Sequence, residues 1–167
     1  LESPLKKRLQ YEIVNKNNSW RNNIPNEIDK KVFKSENKLL NALGQKWFKE
    51  SKSKEEIILK AKEFYQENGF RYSVNPDMMN KLNTYDDFLF KRKIGFCEHY
   101  ASSFTLLMRA AKIPSRVVVG YQGGEILTTH QKSSYLLLDN SYAHAWSEVW
   151  LDNKGWTRVD PTEWINP

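Results

Sequence analysis

The single cysteine of this 167-residue chain is the residue whose position first suggests chemistry. Cys97 lies in the stretch GFCEHYASS at 95–103, where an extended, charged segment gives way to a helical pattern. A thiol in the first turn of a helix lies in the positive end of the helix field, which favours the thiolate and makes it a better nucleophile. A lone free cysteine is nevertheless more often a small buried hydrophobic residue than a catalyst. Cys97 is therefore a candidate nucleophile that needs a base beside it.

Three histidines are the candidate bases for this thiol. His99 is two residues from Cys97, and side chains at that spacing on a helix point about 200° apart, so the two cannot pair. His130 lies in a polar segment at 128–132 that no regular element would hold in place. His144 lies in an alternating strand pattern that also carries tryptophans, and a rigid strand can hold an imidazole for proton transfer. A core histidine satisfied by a backbone carbonyl is the equally open alternative for His144.

A third member of such a group would accept a hydrogen bond from the imidazole and stabilise its cation. Asp160 ends the next predicted strand, and tight hairpin registers place it opposite residues near 146–148, two to four positions from His144. A diagonal contact is feasible at the short end of that range, whereas the long end needs twist or a bulge. The spacing therefore permits a group of Cys97, His144 and Asp160, and the register leaves it open.

Helices are predicted in the first two thirds of the chain. One follows a cap at Ser35 and has an apolar side formed by Leu39, Leu40, Leu43 and Trp47. The second begins at a capping box, Ser53 to Glu56, and ends at Gly69. The third begins at Cys97 and ends before Pro114. These helices must carry the nucleophile and cover a sheet.

Strands dominate the remainder. Residues 70–74 are short, aromatic and extended, and four β-rich runs follow at 116–121, 134–138, 143–151 and 156–160. In the third of these runs His144, Trp146, Glu148 and Trp150 face one way and the intervening residues the other. Helices followed by an antiparallel run of strands predict an α+β fold, with helices packed on one side of the sheet.

Composition excludes several classes of protein. The net charge of +6 invites a nucleic-acid partner, but Lys and Arg are spread along the chain and cluster only at 6–8 and 91–93, so we predict a solvated basic surface and no nucleic acid. One cysteine excludes an intrachain disulfide and a Cys-rich zinc site. Neither a phosphate-binding loop nor a metal-ligand spacing is present, so we expect no cofactor and no metal.

No signal peptide or span of ~18 apolar residues is visible. Because the chain begins with Leu1 rather than Met, we expect it to be a piece of something longer.

Four sequence blocks carry a resemblance to a known family. They are GFCEHYAS at 95–102, IPSRVVVGY at 113–121, AHAWSEVW at 143–150 and GWTRVDPT at 155–162. In this order they resemble the transglutaminase-like superfamily, and most closely the extracytoplasmic domain of bacterial membrane-anchored transglutaminases. The resemblance covers roughly 50 to 165 and implies a papain-like fold with the nucleophile at the start of a central helix. It makes residues 1–34 an N-terminal extension and residues 35–167 the catalytic domain.

The resemblance also implies a reaction. By matching position, Cys97 is the nucleophile, His144 the general base and acid, and Asp160 the orienting carboxylate. Family members mostly attack a glutamine side-chain amide, form a cysteine thioester, release ammonia and pass the acyl group to an amine. Others hydrolyse peptides or amides, so a cysteine peptidase or amidase with the same triad is the alternative. A binding module without catalytic activity is a further alternative.

Partners and location follow from the same resemblance. The partners it implies are a protein or peptide glutamine donor and an amine acceptor. The location it implies is the periplasmic or extracytoplasmic side of a membrane-anchored parent.

Three further residues are implied to lie near substrate. Tyr72 lies upstream of Cys97 in a region comparable to that of an indole donor in animal relatives, so it is a candidate second oxyanion donor beside the Cys97 backbone N–H. Tyr142 stands where relatives often carry Asp before the His144 block, and that position bears on donor preference. Trp146, with Trp150 and Trp156, can form an apolar wall that excludes water, or can equally be a core residue.

Overall fold

The computed structural model describes residues 23–32, 36–74, 85–128 and 134–165. The helices in these ranges are α1 (Glu27–Lys30), α2 (Lys38–Glu50), α3 (Lys54–Glu67), α4 (Tyr85–Asp87) and α5 (Cys97–Ala110). The strands are β1 (Arg71–Tyr72), β2 (Ile94–Gly95), β3 (Ser115–Tyr121), β4 (Glu125–Thr128), β5 (Ser134–Leu137), β6 (Ala143–Leu151) and β7 (Gly155–Val159). A π-helical turn, Phe88–Arg92, and two 3₁₀ turns, Asn140–Tyr142 and Pro161–Trp164, complete the regular structure. No helix in the described ranges is both long and apolar enough to cross a bilayer.

The main sheet has the strand order β3-β6-β7, and both pairs are antiparallel. Strand β6 is central, and Ala145, Ser147 and Val149, which the alternating pattern places on one face, are buried. Helix α5 packs on this face: the Ser147 hydroxyl donates to the Ala101 carbonyl at 2.9 Å and accepts from the Thr105 hydroxyl at 3.0 Å. Helices on an antiparallel sheet confirm the predicted α+β class.

Two strand predictions were incomplete. Strand β4 was not predicted; it pairs with β5 in a separate hairpin in which Ile126 is 74% exposed, so no burial pattern marks it in the sequence. Strand β1 covers two residues of the extended segment predicted at 70–74, and it pairs in parallel with β2, just before α5. That pairing brings the segment around residue 72 to the start of α5.

The start of α2 differs from the prediction. Ser35, the predicted cap, lies outside the described residues, and the helix begins at Lys38. Its first turn is capped from elsewhere in the chain, because the Asp86 carboxylate accepts from the N–H groups of Leu39 (2.9 Å) and Leu40 (2.8 Å). The prediction that Leu39 lies on the apolar side was wrong. Adjacent helical positions point about 100° apart; Leu40 faces the core, whereas its neighbour Leu39 is 54% exposed.

The capping box of α3 is half formed. The Ser53 hydroxyl accepts from the Glu56 N–H at 3.1 Å, as predicted, but the Glu56 carboxylate accepts from the Lys52 N–H at 2.8 Å instead of from that of Ser53. The helix ends at Glu67, and Gly69 follows with φ +72°, the left-handed conformation that favours glycine after a helix.

Candidate active site

Cys97 is the first residue of α5, where the helix prediction placed it. The preceding residue, Phe96, is extended, and its N–H donates to Nδ1 of His99 at 3.4 Å. His99 also packs its ring against Phe96 and Phe88, with centroid distances of 4.5 and 5.7 Å. Burial lowers the pKa of His99, and its ring is held by these local contacts.

Tyr72 is held at the N-terminus of α5. Its strand partner across β1 and β2 is Gly95, two residues before Cys97. The buried Tyr100 of α5 donates its hydroxyl to the Arg71 carbonyl at 2.7 Å, and its ring stacks on that of Tyr72 at 6.3 Å. Because Tyr100 lies one turn after Cys97 on the same helix, it fixes β1 relative to the thiol.

The Tyr72 hydroxyl lies beside both the backbone N–H and the sulfur of Cys97. Partial burial raises the pKa of Tyr72, and the negative charges of Cys97 and, more weakly, Asp160 add to the rise. The phenol therefore stays protonated at neutral pH and keeps an O–H that can donate.

His144 and Asp160 are in direct contact across β6 and β7. The pairing ends at Ser147 with Val159, so Asp160 follows β7 at two positions from His144, the short end of the range expected from the sequence. The distance from His144 Nε2 to Asp160 Oδ2 is 2.6 Å. This contact occupies Nε2 and leaves Nδ1 as the nitrogen that can take up a proton from another group.

Asp160 is buried, with 1% of its side chain exposed, yet it is ionised. Burial alone would raise its pKa, but hydrogen bonds from Thr162 and His144 outweigh burial and hold the pKa of Asp160 below its usual value. The Thr162 hydroxyl donates to Oδ1 at 2.6 Å and the Thr162 N–H donates to the same atom at 3.2 Å, which caps the Pro161–Trp164 turn. An ionised acceptor makes His144 Nε2–H the donor and stabilises the imidazolium form.

Trp146 lies next to this pair. Its ring stacks on that of His144 with a centroid distance of 6.3 Å and an interplanar angle of 23°. Gly120 lies opposite His144 on β3, and a Cβ added there would be 2.8 Å from Cη2 of Trp146. Arg158, on the strand that leads to Asp160, places its guanidinium carbon 4.3 Å from the Trp146 ring centroid.

Sequence reasoning missed Gly120 and Arg158 as parts of this site. The available signals were a glycine inside a β-branched run, which indicates a close approach by another group, and the shared face of Arg158 and Asp160.

The other aromatic candidates lie elsewhere. The Tyr142 ring packs on Gly123, where an added Cβ would be 3.3 Å from its Cδ1, and its carbonyl accepts from the Gln122 N–H at 2.8 Å. Tyr142 thus borders the turn after β3, directly before β6. Trp156 is a core residue, 2% exposed, whose Nε1–H donates to the Asn23 carbonyl at 2.8 Å.

The remaining histidine, His130, lies outside the described residues. Within the described ranges, no three side chains of the metal-ligating types come together.

Comparison with known proteins gives the family. Residues 41–161 match the family model of the transglutaminase-like superfamily. A protein-glutamine gamma-glutamyltransferase of Pseudomonas aeruginosa is 45% identical over 98 residues, which are 59% of this chain and 14% of that protein. The uncharacterized protein YebA of Bacillus subtilis is 38% identical over 84 residues, 49% of this chain and 11% of that protein. The chain thus spans about one seventh or less of the curated relatives it matches.

Solved structures agree with this match. The periplasmic domain of TgpA from Pseudomonas aeruginosa, in a crystal structure bound to ethylmercury, superposes with a TM-score of 0.73 at 32% identity. The superposition covers 83% of this chain and 49% of that one. A second crystal structure of the same domain gives the same TM-score at 34% identity, covering 81% of this chain and 46% of that chain. The chain belongs to the transglutaminase-like superfamily and has its papain-like α+β fold.

Proposed function

We propose that this domain is a thiol-dependent acyltransferase of transglutaminase type, with Cys97 as nucleophile, His144 as general base and acid, and Asp160 as the orienting carboxylate. The observation that carries the proposal is the 2.6 Å contact between His144 Nε2 and the buried, ionised Asp160. It is supported by the place of Cys97 at the first turn of α5, which packs on the strand that bears His144. The name of the similar Pseudomonas protein supports glutamine as the acyl donor.

Acylation uses His144 Nδ1 as the base. Nδ1 takes the proton of the Cys97 thiol, and the thiolate attacks the carbon of a glutamine carboxamide, forming the C–S bond and a tetrahedral oxyanion. The backbone N–H of Cys97 and the hydroxyl of Tyr72, which lie side by side, are the proposed donors to this oxyanion. The C–N bond then breaks while the imidazolium gives its proton to the leaving ammonia, and a thioester on Cys97 remains.

Deacylation reverses these roles. The nitrogen of an incoming amine attacks the thioester carbon, His144 Nδ1 takes a proton from that nitrogen, and the C–S bond breaks to restore the thiolate. Transfer is favoured over hydrolysis where water is excluded. The indole of Trp146, stacked on His144, supports such exclusion, and Tyr142, at the turn that leads into β6, is proposed to border the bound donor.

The proposed partners are a protein or peptide that presents glutamine and an amine acceptor, and nucleic acid is not among them. The proposed location is the periplasmic or extracytoplasmic side of a membrane-anchored protein. This proposal rests on the similarity to the periplasmic domain of TgpA.

The proposal is tested by measuring ammonia release and incorporation of a fluorescent amine into a glutamine peptide. Wild type is compared with Cys97→Ala, and thermal unfolding of both proteins shows that the variant is folded. We expect both products from the wild type and neither from the variant. Equal activity of the two proteins would remove Cys97 from the mechanism.

A cysteine peptidase or amidase that uses the same three residues is the second candidate, because water can replace the amine in deacylation. Product analysis with and without added amine separates the two functions. Cleavage whose rate and products do not respond to the amine favours hydrolysis. A catalytically inert binding module predicts instead that the Cys97 thiol titrates near the free value of about 8.5 in an alkylation experiment.

A further inference from the structure

We propose that Arg158 is a positioning residue of this site, which holds the Asp160 carboxylate and the Trp146 indole where they orient His144. The inference rests on the proposed function, because it gives the orientation of His144 a catalytic purpose. It adds a residue to which neither the sequence blocks nor the family match assigns a role.

The Asp160 carboxylate is held by Arg158 as well as by His144. Oδ2 of Asp160 lies 2.6 Å from His144 Nε2 and 3.2 Å from Arg158 Nη2, so one oxygen accepts from both residues. Oδ1 is occupied by the hydroxyl and the N–H of Thr162. With donors on both oxygens, the carboxylate has no free rotation, and Arg158 fixes the oxygen that receives the imidazole.

The Trp146 indole contacts both His144 and Arg158. Four side chains form a closed ring: His144 contacts Asp160, Asp160 contacts Arg158, Arg158 stacks on Trp146, and Trp146 stacks on His144. His144 and Trp146 belong to β6, Arg158 belongs to β7, and Asp160 directly follows β7. Outside this four-residue ring, Arg158 Nη2 also donates to Oε1 of Gln122, so a single guanidinium ties the ring to the turn after β3.

Arg158 turns toward Asp160 because the carboxylate opposite it on β6 is already paired. Its direct neighbour across the strands is Glu148, a buried carboxylate that could attract it. Glu148 is already paired, because Nε and Nη2 of Arg116 both lie 2.8 Å from its Oε2. The guanidinium of Arg116 stacks on Trp156 at 4.0 Å. The sheet therefore carries two groups of one arginine, one tryptophan and one carboxylate. Arg116 contacts Trp156 and Glu148, and Arg158 contacts Trp146 and Asp160. The second group contacts His144.

The positive charge of Arg158 lies beside several titratable groups. The charged and titratable groups around the Asp160 carboxylate are His144 of β6, Arg158 of β7 and Tyr72 of β1, with Cys97 of α5 beside Tyr72. Loss of a cation beside Asp160 would leave the charge of that carboxylate uncompensated, which disfavours a further negative charge nearby. The pH dependence of Cys97 alkylation is therefore a readout of the Arg158 charge.

The test uses three variants and two readouts. Arg158→Gln removes the charge, Arg158→Lys keeps the charge but loses the planar stacking surface, and the double variant Arg116→Gln/Glu148→Gln is the matched control. The control removes the other arginine–carboxylate pair and leaves no buried carboxylate free to draw Arg158 away. The readouts are the pH dependence of Cys97 alkylation by iodoacetamide, and kcat and KM for amine incorporation. Because Cys97 is the single cysteine of the chain, alkylation reports on it alone.

We expect Arg158→Gln to move the alkylation profile to higher pH by roughly half a unit, an amount reduced by the partial exposure of Arg158. We expect its kcat to fall about tenfold with little change in KM, since positioning acts on the chemical step. Arg158→Lys is expected to keep the wild-type profile and lose kcat. The control is expected to keep the wild-type profile and kcat at a temperature where it is folded.

Two results would overturn the inference. One is a wild-type profile and kcat in Arg158→Gln while Cys97→Ala is inactive, in which case the proposed function stands without the positioning role. The other is an equal shift in the control variant. If Arg158→Gln does not fold, Arg158→Lys decides: a loss of kcat with an unchanged profile supports the role, and a wild-type kcat refutes it. Failure of the proposed function is recognised separately, by amine incorporation in Cys97→Ala.

Discussion

At the scale of single residues, the two carboxylate oxygens of Asp160 have different roles. One stabilises a turn, and the other contacts the proposed general base. Oδ1 caps the turn that follows β7 through Thr162, and Oδ2 receives His144 and Arg158. These donors outweigh the cost of burying the charge and keep the pKa of Asp160 below its usual value. Because each oxygen of the carboxylate accepts hydrogen bonds from two donors, the side chain is held in one orientation. A carboxylate that orients a histidine must itself be fixed in this way.

Replacing this charge without changing its shape is the sharpest test at this scale. Asp160→Asn should lower kcat/KM for amine incorporation by roughly 10²- to 10⁴-fold, because the amide does not stabilise the imidazolium of His144 and can select the wrong tautomer. Steady-state kinetics at several pH values is the measurement. Activity within threefold of the wild type would contradict the assigned role.

The Tyr72 hydroxyl can be tested with a single-atom deletion. Tyr72→Phe should lower kcat by roughly 10²-fold with KM nearly unchanged, because the proposed hydrogen bond forms only with the oxyanion. Tyr135→Phe, which removes a hydroxyl from the exposed hairpin strand β5, is the matched control and should retain full activity. A kcat equal in the two variants would exclude Tyr72 as a donor.

At the scale of elements, the approach of α2 to α5 positions the helix that carries Cys97. Gly44 makes this approach possible, since a Cβ at that position would lie 2.6 Å from the Ala110 Cβ and 2.7 Å from the Leu107 carbonyl oxygen. Both of those residues are in the last turns of α5. The distance between the two helices is therefore set by the absence of one methyl group.

Gly44→Ala should destabilise the domain by about 1–3 kcal/mol through overpacking, more than the gain in helix propensity returns. Urea unfolding followed by circular dichroism measures the change. Gln45→Ala, at the neighbouring exposed position, is the control and should change stability by less than about 0.5 kcal/mol. Unfolding midpoints that agree between Gly44→Ala and wild type would show that the helices separate at little cost.

The elements also show what periodicity can predict. The start of α5 at Cys97 was predicted correctly because apolar residues repeat at helical spacing from that point on. The two-residue strand β1 was beyond prediction as a strand, since it exists only by pairing with β2, more than twenty residues later. The contact of Tyr72 with Cys97 depends on that pairing, so local sequence alone could not locate it.

At the scale of the whole molecule, acid should weaken the fold through His99. Burial lowers the pKa of His99 in the folded state, and its Nδ1 accepts from the Phe96 N–H, which requires an unprotonated nitrogen. The unfolded chain therefore binds the proton more readily, and stability falls as the pH drops below the ordinary histidine value of about 6.5.

His99→Gln should reduce this dependence, because a glutamine at the same position can still accept from the Phe96 N–H but does not titrate. The free energy of unfolding is measured in urea at pH 7, 6 and 5 for both proteins. We expect the difference in stability between wild type and variant to change in favour of the variant as the pH falls. Parallel curves would show that protonation of His99 does not contribute.

The fold of the whole domain was more predictable than the fine structure of its site. Ordered sequence blocks and alternating strands led to an α+β, papain-like architecture, and the family match agrees. The contact of His144 with Asp160 depended on a hairpin register that alternation does not determine. The role proposed for Arg158 depended on a choice between two carboxylates, which is decided by Arg116 on another strand. The register and the pairing of these side chains are determined by contacts between elements, which local sequence patterns do not show.

The 3₁₀ turn after Asp160 has a consequence for the time order of folding. Trp164 of this turn packs on Phe104 of α5 at 5.5 Å, so Asp160, the residue proposed to orient His144, is placed by contacts between segments distant in sequence. Contacts of this kind form only after a large loop has closed. The proposed amine incorporation should therefore recover, during refolding, no earlier than this closure, and its recovery would time the assembly of the site.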